Sequence, residues 1–275
     1  MTASASGSIE PVDPRDPAVP ELLRSGRIEI SGRLVDASNA TLFGEISIDG
    51  ISAQCVYKPV RGERPLWDFP DGTLAGREVA TYLISEAGGF GVVPCTLKRD
   101  GPFGPGMVQV WVDTHGGRDL VDVCPPAAVP PGWLRVLRAR GARGEPAVLV
   151  HADRPELRVM AAFDVLANNA DRKGGHVLAG VHGGVYGVDH GLCLHVEDKL
   201  RTVLWGWVGT RLPDEVLERV RRLRSELDGG LCAVLAEHVS RAEVAALSQR
   251  VDALLADPCY PEPTGYGPAI PWPAF

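Results

Sequence analysis

Residues 163–191 read FDVLANNADRKGGHVLAGVHGGVYGVDHG. Two short apolar runs, Val177-Leu178-Ala179 and Val185-Tyr186-Gly187-Val188, flank His182-Gly183-Gly184, and this composition predicts a β-hairpin. In an antiparallel hairpin the residue before the first strand and the residue after the second share the open end. His176 and Asp189 are therefore expected to be neighbours, with Asp171 joining them from the loop that feeds the hairpin. Just upstream, Leu157, Met160 and Phe163 recur at helical spacing and predict a helix over 155–166.

The N-terminal half reads as antiparallel sheet. Ile28, Ile30 and Leu34 alternate with polar residues, as do Leu42, Ile46 and Ile48, and Asp49-Gly50 is a tight-turn signal leading into a third strand over 51–58. Val79, Tyr82 and Leu83 predict a helix over 77–87 that Gly88-Gly89 stops, and two further strands are expected over 92–99 and 107–112. Three strands, a helix and two strands match neither a dinucleotide-binding unit nor a barrel of alternating strands and helices. Beyond residue 113 the expectation is mainly helical, with helices over 133–140, 155–166, 214–227, 231–238 and, behind a Ser240…Glu243 capping box, around Val244, Leu247 and Val251. Residues 1–20 are Ser-, Pro- and Asp-rich and are expected to be disordered, and the Pro-rich tail 257–275 irregular.

Composition narrows the function classes. A net charge of −7 supplies no basic field for nucleic acid or an anionic bilayer as the main partner, although it permits a local basic patch. No run approaches the roughly 20 apolar residues of a membrane helix, and the first 20 residues do not resemble a signal peptide, so a cytoplasmic protein is expected. The six cysteines are scattered with no CxxC pair and read as reduced thiols. Arginine outnumbers lysine 24 to 4, which draws attention to any lysine at a special position.

Phosphoryl transfer requires a cluster of the kind expected at the hairpin mouth: one carboxylate to take the proton of the acceptor hydroxyl, and ligands for the metal ions that neutralise the phosphate oxygens. Asp171 lies five residues before His176, the interval between the catalytic Asp and a metal-binding Asn in the kinase signature, and Asp189-His190-Gly191 stands where that signature has Asp-Phe-Gly. On these residues, with Phe163, Leu166 and Asp171-Arg172-Lys173, the segment resembles the DRHxxN and DFG elements of phosphatidylinositol 3- and 4-kinases and also HipA-type serine kinases. The likeness extends to an uncharacterised bacterial family of lipid-kinase-like proteins; it is local here, and the upstream elements match by order. It implies an α+β, two-lobed protein-kinase-like fold: an N-lobe over 21–112 built on an antiparallel sheet with one helix, and a mainly helical C-lobe over 113–256.

The resemblance also assigns roles. Asp171 would be the catalytic base with Lys173 beside it, and His176 and Asp189 the ligands of Mg²⁺ or Mn²⁺. Lys58, at the end of the third strand, would grip the ATP phosphates and pair with Glu78 on the following helix. Ser38, Asn39 and Thr41 would lie in the loop over the phosphates, and Gln109, Val110 and Trp111 would connect the lobes and meet adenine through their backbone. Three departures stand out: His176 replaces Asn, Lys173 replaces His, and His190 replaces Phe. An imidazole ligand implies a Mn²⁺ preference, a single working metal, or a phosphate contact instead. The expected activity is an ATP- and metal-dependent kinase acting on a hydroxyl of a protein, an inositol-like polyol or another metabolite. A nucleotide-binding pseudokinase and a metallohydrolase built on Asp171, His176 and Asp189 are the alternatives. Each assignment has a plainer counterpart: turn chemistry for the aspartates, an edge charge for Lys58, a hairpin turn for 38–41, a core aromatic for Trp111.

Overall fold

The computed structural model describes residues 10–34, 40–116, 120–141, 143–265 and 267–275 of the chain. It is an α+β protein that divides into two compact units, Met1–Arg64 with Pro94–Asp113, and Pro65–Val93 with Thr114–Phe275.

The first unit holds a short helix, α1 (Val19–Ser25), and a five-stranded antiparallel sheet: β1 (Arg27–Arg33), β2 (Leu42–Ile48), β3 (Ile51–Pro59), β4 (Thr96–Gly101) and β5 (Gly104–Val110), in the order β1-β2-β3-β5-β4. The expected Asp49-Gly50 turn joins β2 to β3, both residues at positive φ, and sets Ile46 opposite Ala53 and Gly44 opposite Cys55. Every second residue then faces inward, so Ile46, Ala53, Cys55 and Tyr57 are all but inaccessible. A Cβ on Gly44 would strike the Glu29 carbonyl of β1, which is why glycine stands there. Leu22 and Leu23 of α1 are buried in the same unit, and Arg99 closes the helix by donating to the carbonyls of Leu23 and Gly26, each at 2.8 Å. Residues 10–20 are described and Val19 is buried, so this part of the segment for which disorder is expected is ordered, while residues 1–9 lie outside the described residues. β4 starts at Thr96 rather than residue 92, because Pro94 cannot donate to a sheet ladder.

The second unit comprises α2 (Leu74–Ala87), a three-stranded antiparallel sheet of β6 (Val121–Cys124), β7 (Trp133–Arg140) and β8 (Pro146–Ala152) in the order β6-β8-β7, α3 (Pro155–Ala167), the hairpin β9 (Val177–Ala179) and β10 (Val185–Gly187), and the helices α4 (Asp214–Asp228), α5 (Leu231–Leu235) and α6 (Arg241–Ala256). Here one expectation is corrected: residues 133–140 form a strand, not a helix, and the region after 113 carries a sheet before its helices. The cause is a bulge at Val136, where the register on β8 slips, so the period-two alternation is broken. Leu157, Met160, Phe163 and Leu166 of α3 are fully buried in one core with Ile84 of α2, Val220 and Leu223 of α4, and Val251 of α6. The expected capping box is present: Glu243 N–H donates to the Ser240 hydroxyl and Ser240 N–H to the Glu243 carboxylate.

Helix α2 packs with this second unit, and one side chain anchors it there. Arg77, 1% exposed, pairs with Glu243 of α6, donates to the carbonyls of Cys193 and Asp71, and lies over the Phe69 ring. Glu243 thus serves the cap of α6 and the charge on α2 together. Among the described residues, no helix is long and apolar enough to cross a membrane.

Candidate functional site

Helix α3 ends in a left-handed Asn168, φ 50°, a conformation that Asn tolerates. Its side-chain amide donates to the carbonyls of His195 and Glu197 and its side-chain oxygen accepts from Lys199 N–H, which ties the helix end to the 195–199 segment. Asn169 follows, 0% exposed; its side chain donates to Asp164 and accepts from Asp171 N–H at 2.9 Å, turning the chain so that Asp171 leaves the helix end in a fixed direction.

The expected hairpin forms, with Val177 opposite Gly187 and Ala179 opposite Val185. One further rung, Val188 N–H to the His176 carbonyl at 3.1 Å, carries the pairing past the strand ends. His176 and Asp189 thereby become neighbours, with Nε2 to Oδ2 at 3.5 Å. Asp171 joins them through its carbonyl, which meets His176 Nδ1 at 2.9 Å. Asp189 has φ 60°, in the left-handed region. It is held between Val188 and His190, and both of these are fastened to Arg172.

Arg172 organises the site, and sequence reasoning quoted it only as part of a motif. It is fully buried and grips Asp164, also fully buried, through Nε and Nη2 at 3.0 to 3.1 Å. Its Nη1 donates to the carbonyls of His176 and Val188, and its Nη2 meets His190 Nε2 at 2.7 Å. A guanidinium only donates, so His190 Nε2 accepts. Asn169 and Thr202 satisfy the remaining valences of Asp164. One buried cation therefore fixes His176, Val188 and His190 at once, and through them the place of Asp189. The signal in the sequence was a lone Asp on the apolar face of a helix, which burial requires to be paired.

Electrostatics sharpen the roles. Burial raises the Asp171 carboxyl above its ordinary value, partly opposed by Lys173, whose Nζ is 3.3 Å from Oδ2; the charge of Asp189 pushes it further up. Burial pushes the His176 imidazole down to about 4, against the pull of Asp189. Its Nδ1 faces a carbonyl and so carries the hydrogen, which turns the Nε2 lone pair toward the Asp189 carboxylate.

The other expected site residues are distributed as follows. Glu78 is buried in α2, its Oε1 3.8 Å from where a Cβ on Gly191 would stand, so it lies close to the Asp189-His190-Gly191 segment. Lys58 belongs to the first unit, opposite Met107 in the sheet. Thr41 is buried there, its carbonyl accepting from Leu34 N–H, while Ser38 and Asn39 lie outside the described residues. Gln109 is buried and its side chain donates to the Thr96 hydroxyl at 2.7 Å. The N–H groups of Val110 and Trp111 are spent on the carbonyls of Cys95 and Gln54, and Trp111 stacks edge-on against Phe43. Those two donors are thus engaged within the sheet rather than offered to a base.

No family model matches the chain. It is 54% identical over 263 residues to Protein Rv2133c of Mycobacterium tuberculosis (strain ATCC 25618 / H37Rv), an alignment that spans 92% of this chain and 94% of that protein. The chain belongs to the family of that protein.

Proposed function

We propose that this member of the Rv2133c family is an ATP- and divalent-metal-dependent phosphotransferase of protein-kinase-like fold, acting on a hydroxyl group. The observation that carries the reading is the meeting of Asp171, His176 and Asp189 at the hairpin mouth, at the spacings of the kinase signature. The donor set suits a metal ion: a half-exposed carboxylate on Asp189 and an imidazole whose other nitrogen is held by a backbone carbonyl. Among the described residues no group of three or more His, Cys, Asp and Glu could hold a metal by itself. In the proposed kinase, nucleotide phosphates would therefore have to complete the coordination.

The ion would lie with His176 and Asp189 and supply charge neutralisation at the phosphate oxygens. Asp171 accepts the proton of the acceptor hydroxyl as its oxygen bonds to the terminal phosphorus of ATP and the bond to the bridging oxygen breaks. A carboxyl raised by burial is a better base for this than an exposed one. Lys173 keeps the resting carboxylate charged and oriented. The part of Lys58 comes from the resemblance alone.

Calorimetry with ATP and either Mg²⁺ or Mn²⁺, followed by phosphate transfer to the protein itself, to lipids and to a metabolite extract, tests the reading. Asp171→Asn is expected to keep nucleotide affinity and lower turnover about 10²- to 10⁴-fold, whereas Asp189→Asn weakens binding itself. An absence of heat at saturating nucleotide with both metals removes the proposal. Binding without transfer turns it into a regulatory nucleotide-binding protein.

A further inference from the structure

The sheet of β6, β8 and β7 carries a group of cations outside the hairpin site. β7 is an edge strand, and its register on β8 slips between Arg135 and Leu137, with Val136 the extra residue. Before the slip Arg135 faces Val150; after it Arg138 faces Val148 and Arg140 faces Pro146. Positions two apart on β8 share a face, so Arg135, Arg138 and Arg140 share one as well. In a regular strand residue 135 would point to the opposite face from 138 and 140. The bulge gathers three guanidinium groups into a row.

All three side chains are exposed, and none is ion-paired with a described residue. Elsewhere on the surface Arg24, Arg154, Arg221 and Arg224 each sit against a carboxylate, while Arg61, Arg211 and Arg241 are exposed without an ion pair to a described residue, so it is the shared face of the row that sets it apart. Arg135 donates to the Pro126 carbonyl at 3.0 Å and Arg140 to the Gly144 carbonyl at 3.1 Å, so two of the three heads are held in place. Asp122 lies on the same face opposite Val150, across the central strand from Arg135, and one of its oxygens accepts from Val123 N–H. Between the flanking strands Val148 and Val150 form a buried floor, and the row borders a groove of about 800 Å³ that Pro126 and Ala147 also line. Charges on an edge strand deter stray strand pairing from either face. That purpose does not require them in phase.

We propose that this face binds a ligand bearing two or more clustered phosphate groups, held by Arg135, Arg138 and Arg140. The planar guanidinium fork matches phosphate oxygens, and residues two apart on a strand stand about 6.6 to 6.8 Å apart, which suits phosphates on neighbouring positions rather than a single anion. The ligand is either a free polyphosphorylated compound or a phosphorylated lipid headgroup. The site stands independently of the phosphotransferase reading.

Calorimetry of the full chain with sodium tripolyphosphate and with inositol hexakisphosphate forms one arm of the test. Cosedimentation with phosphatidylcholine vesicles, with and without phosphatidylinositol phosphates, forms the other. Binding in the first arm assigns a free ligand, and binding in the vesicle arm alone assigns a headgroup. Arg135→Gln with Arg138→Gln and Arg140→Gln is expected to lose at least about 100-fold in affinity, and Arg138→Gln alone about tenfold should the triple variant fail to fold. Arg24→Gln with Arg154→Gln and Arg221→Gln removes equal charge from already paired positions and should change affinity less than about threefold. Asp189→Asn should leave this binding intact, which separates it from the hairpin site. Absence of binding in both arms, or equal losses in the two triple variants, overturns the proposal.

Discussion

Arg172→Met tests the organisation of the site directly. The substitution keeps a long unbranched stem but removes the guanidinium, leaving the Asp164 carboxylate, itself fully buried, with only the neutral donors of Asn169 and Thr202. It also strips the carbonyls of His176 and Val188 and the ring of His190 of their shared donor. Breaking one side of a buried pair costs about 3–5 kcal/mol, because the surviving charge has lost its compensation without regaining water. For a chain of this size each kcal/mol lowers the melting temperature by about 2–4 °C, so a fall of about 6–20 °C is expected. Arg172→Met with Asp164→Leu removes both charges together, and its loss should fall short of the sum of the two single losses by about 1–3 kcal/mol. Urea unfolding followed by far-ultraviolet dichroism measures all four chains of the cycle. A loss below about 1 kcal/mol for Arg172→Met, or strict additivity in the double variant, refutes the hub argument.

Replacing His176 by Asn restores an oxygen donor, and nucleotide affinity or turnover should shift from Mn²⁺ toward Mg²⁺; an unchanged preference rejects His176 as a ligand. His151 is fully buried, with Nδ1 at 3.0 Å from the Ala152 carbonyl and Nε2 accepting from Gly206 N–H at 3.0 Å, a pattern only the neutral ring satisfies. Burial lowers its pKa, so as pH falls the unfolded chain takes up this proton first. The associated stability is complete above the unfolded value of about 6.5 and is lost as pH falls below it toward the folded value. His151→Gln should flatten the urea midpoint against pH in that window, and a slope equal to that of the wild type counts against it. Ser240→Ala removes the hydroxyl of the capping box and should cost about 1 kcal/mol, read as a fall of about 2–4 °C in melting temperature; no change means that solvent replaces the cap.

Local rules carried the sequence far. Alternation and the Asp49-Gly50 turn place β1 to β3 within a residue or two, and Ser240 with Glu243 announces α6, because caps and tight turns depend on residues a few positions apart. The hairpin itself followed from its two apolar runs and Gly-rich turn, and with it the meeting of His176 and Asp189, since an antiparallel pair has one open end; its register did not. What decided the rest lies between residues distant in the chain. The bulge at Val136 disguised a strand as a helix, because one extra residue erases the period that identifies a strand, and only pairing with β8 shows the row of arginines it creates. Arg77 ties α2 to Glu243, 166 positions away, and Arg172 joins Asp164, His176, Val188 and His190. Burial makes an unpaired charge costly whichever partner the sequence offers, so the sequence required that Asp164 and Arg172 be compensated, while the choice of partner was made by packing in three dimensions.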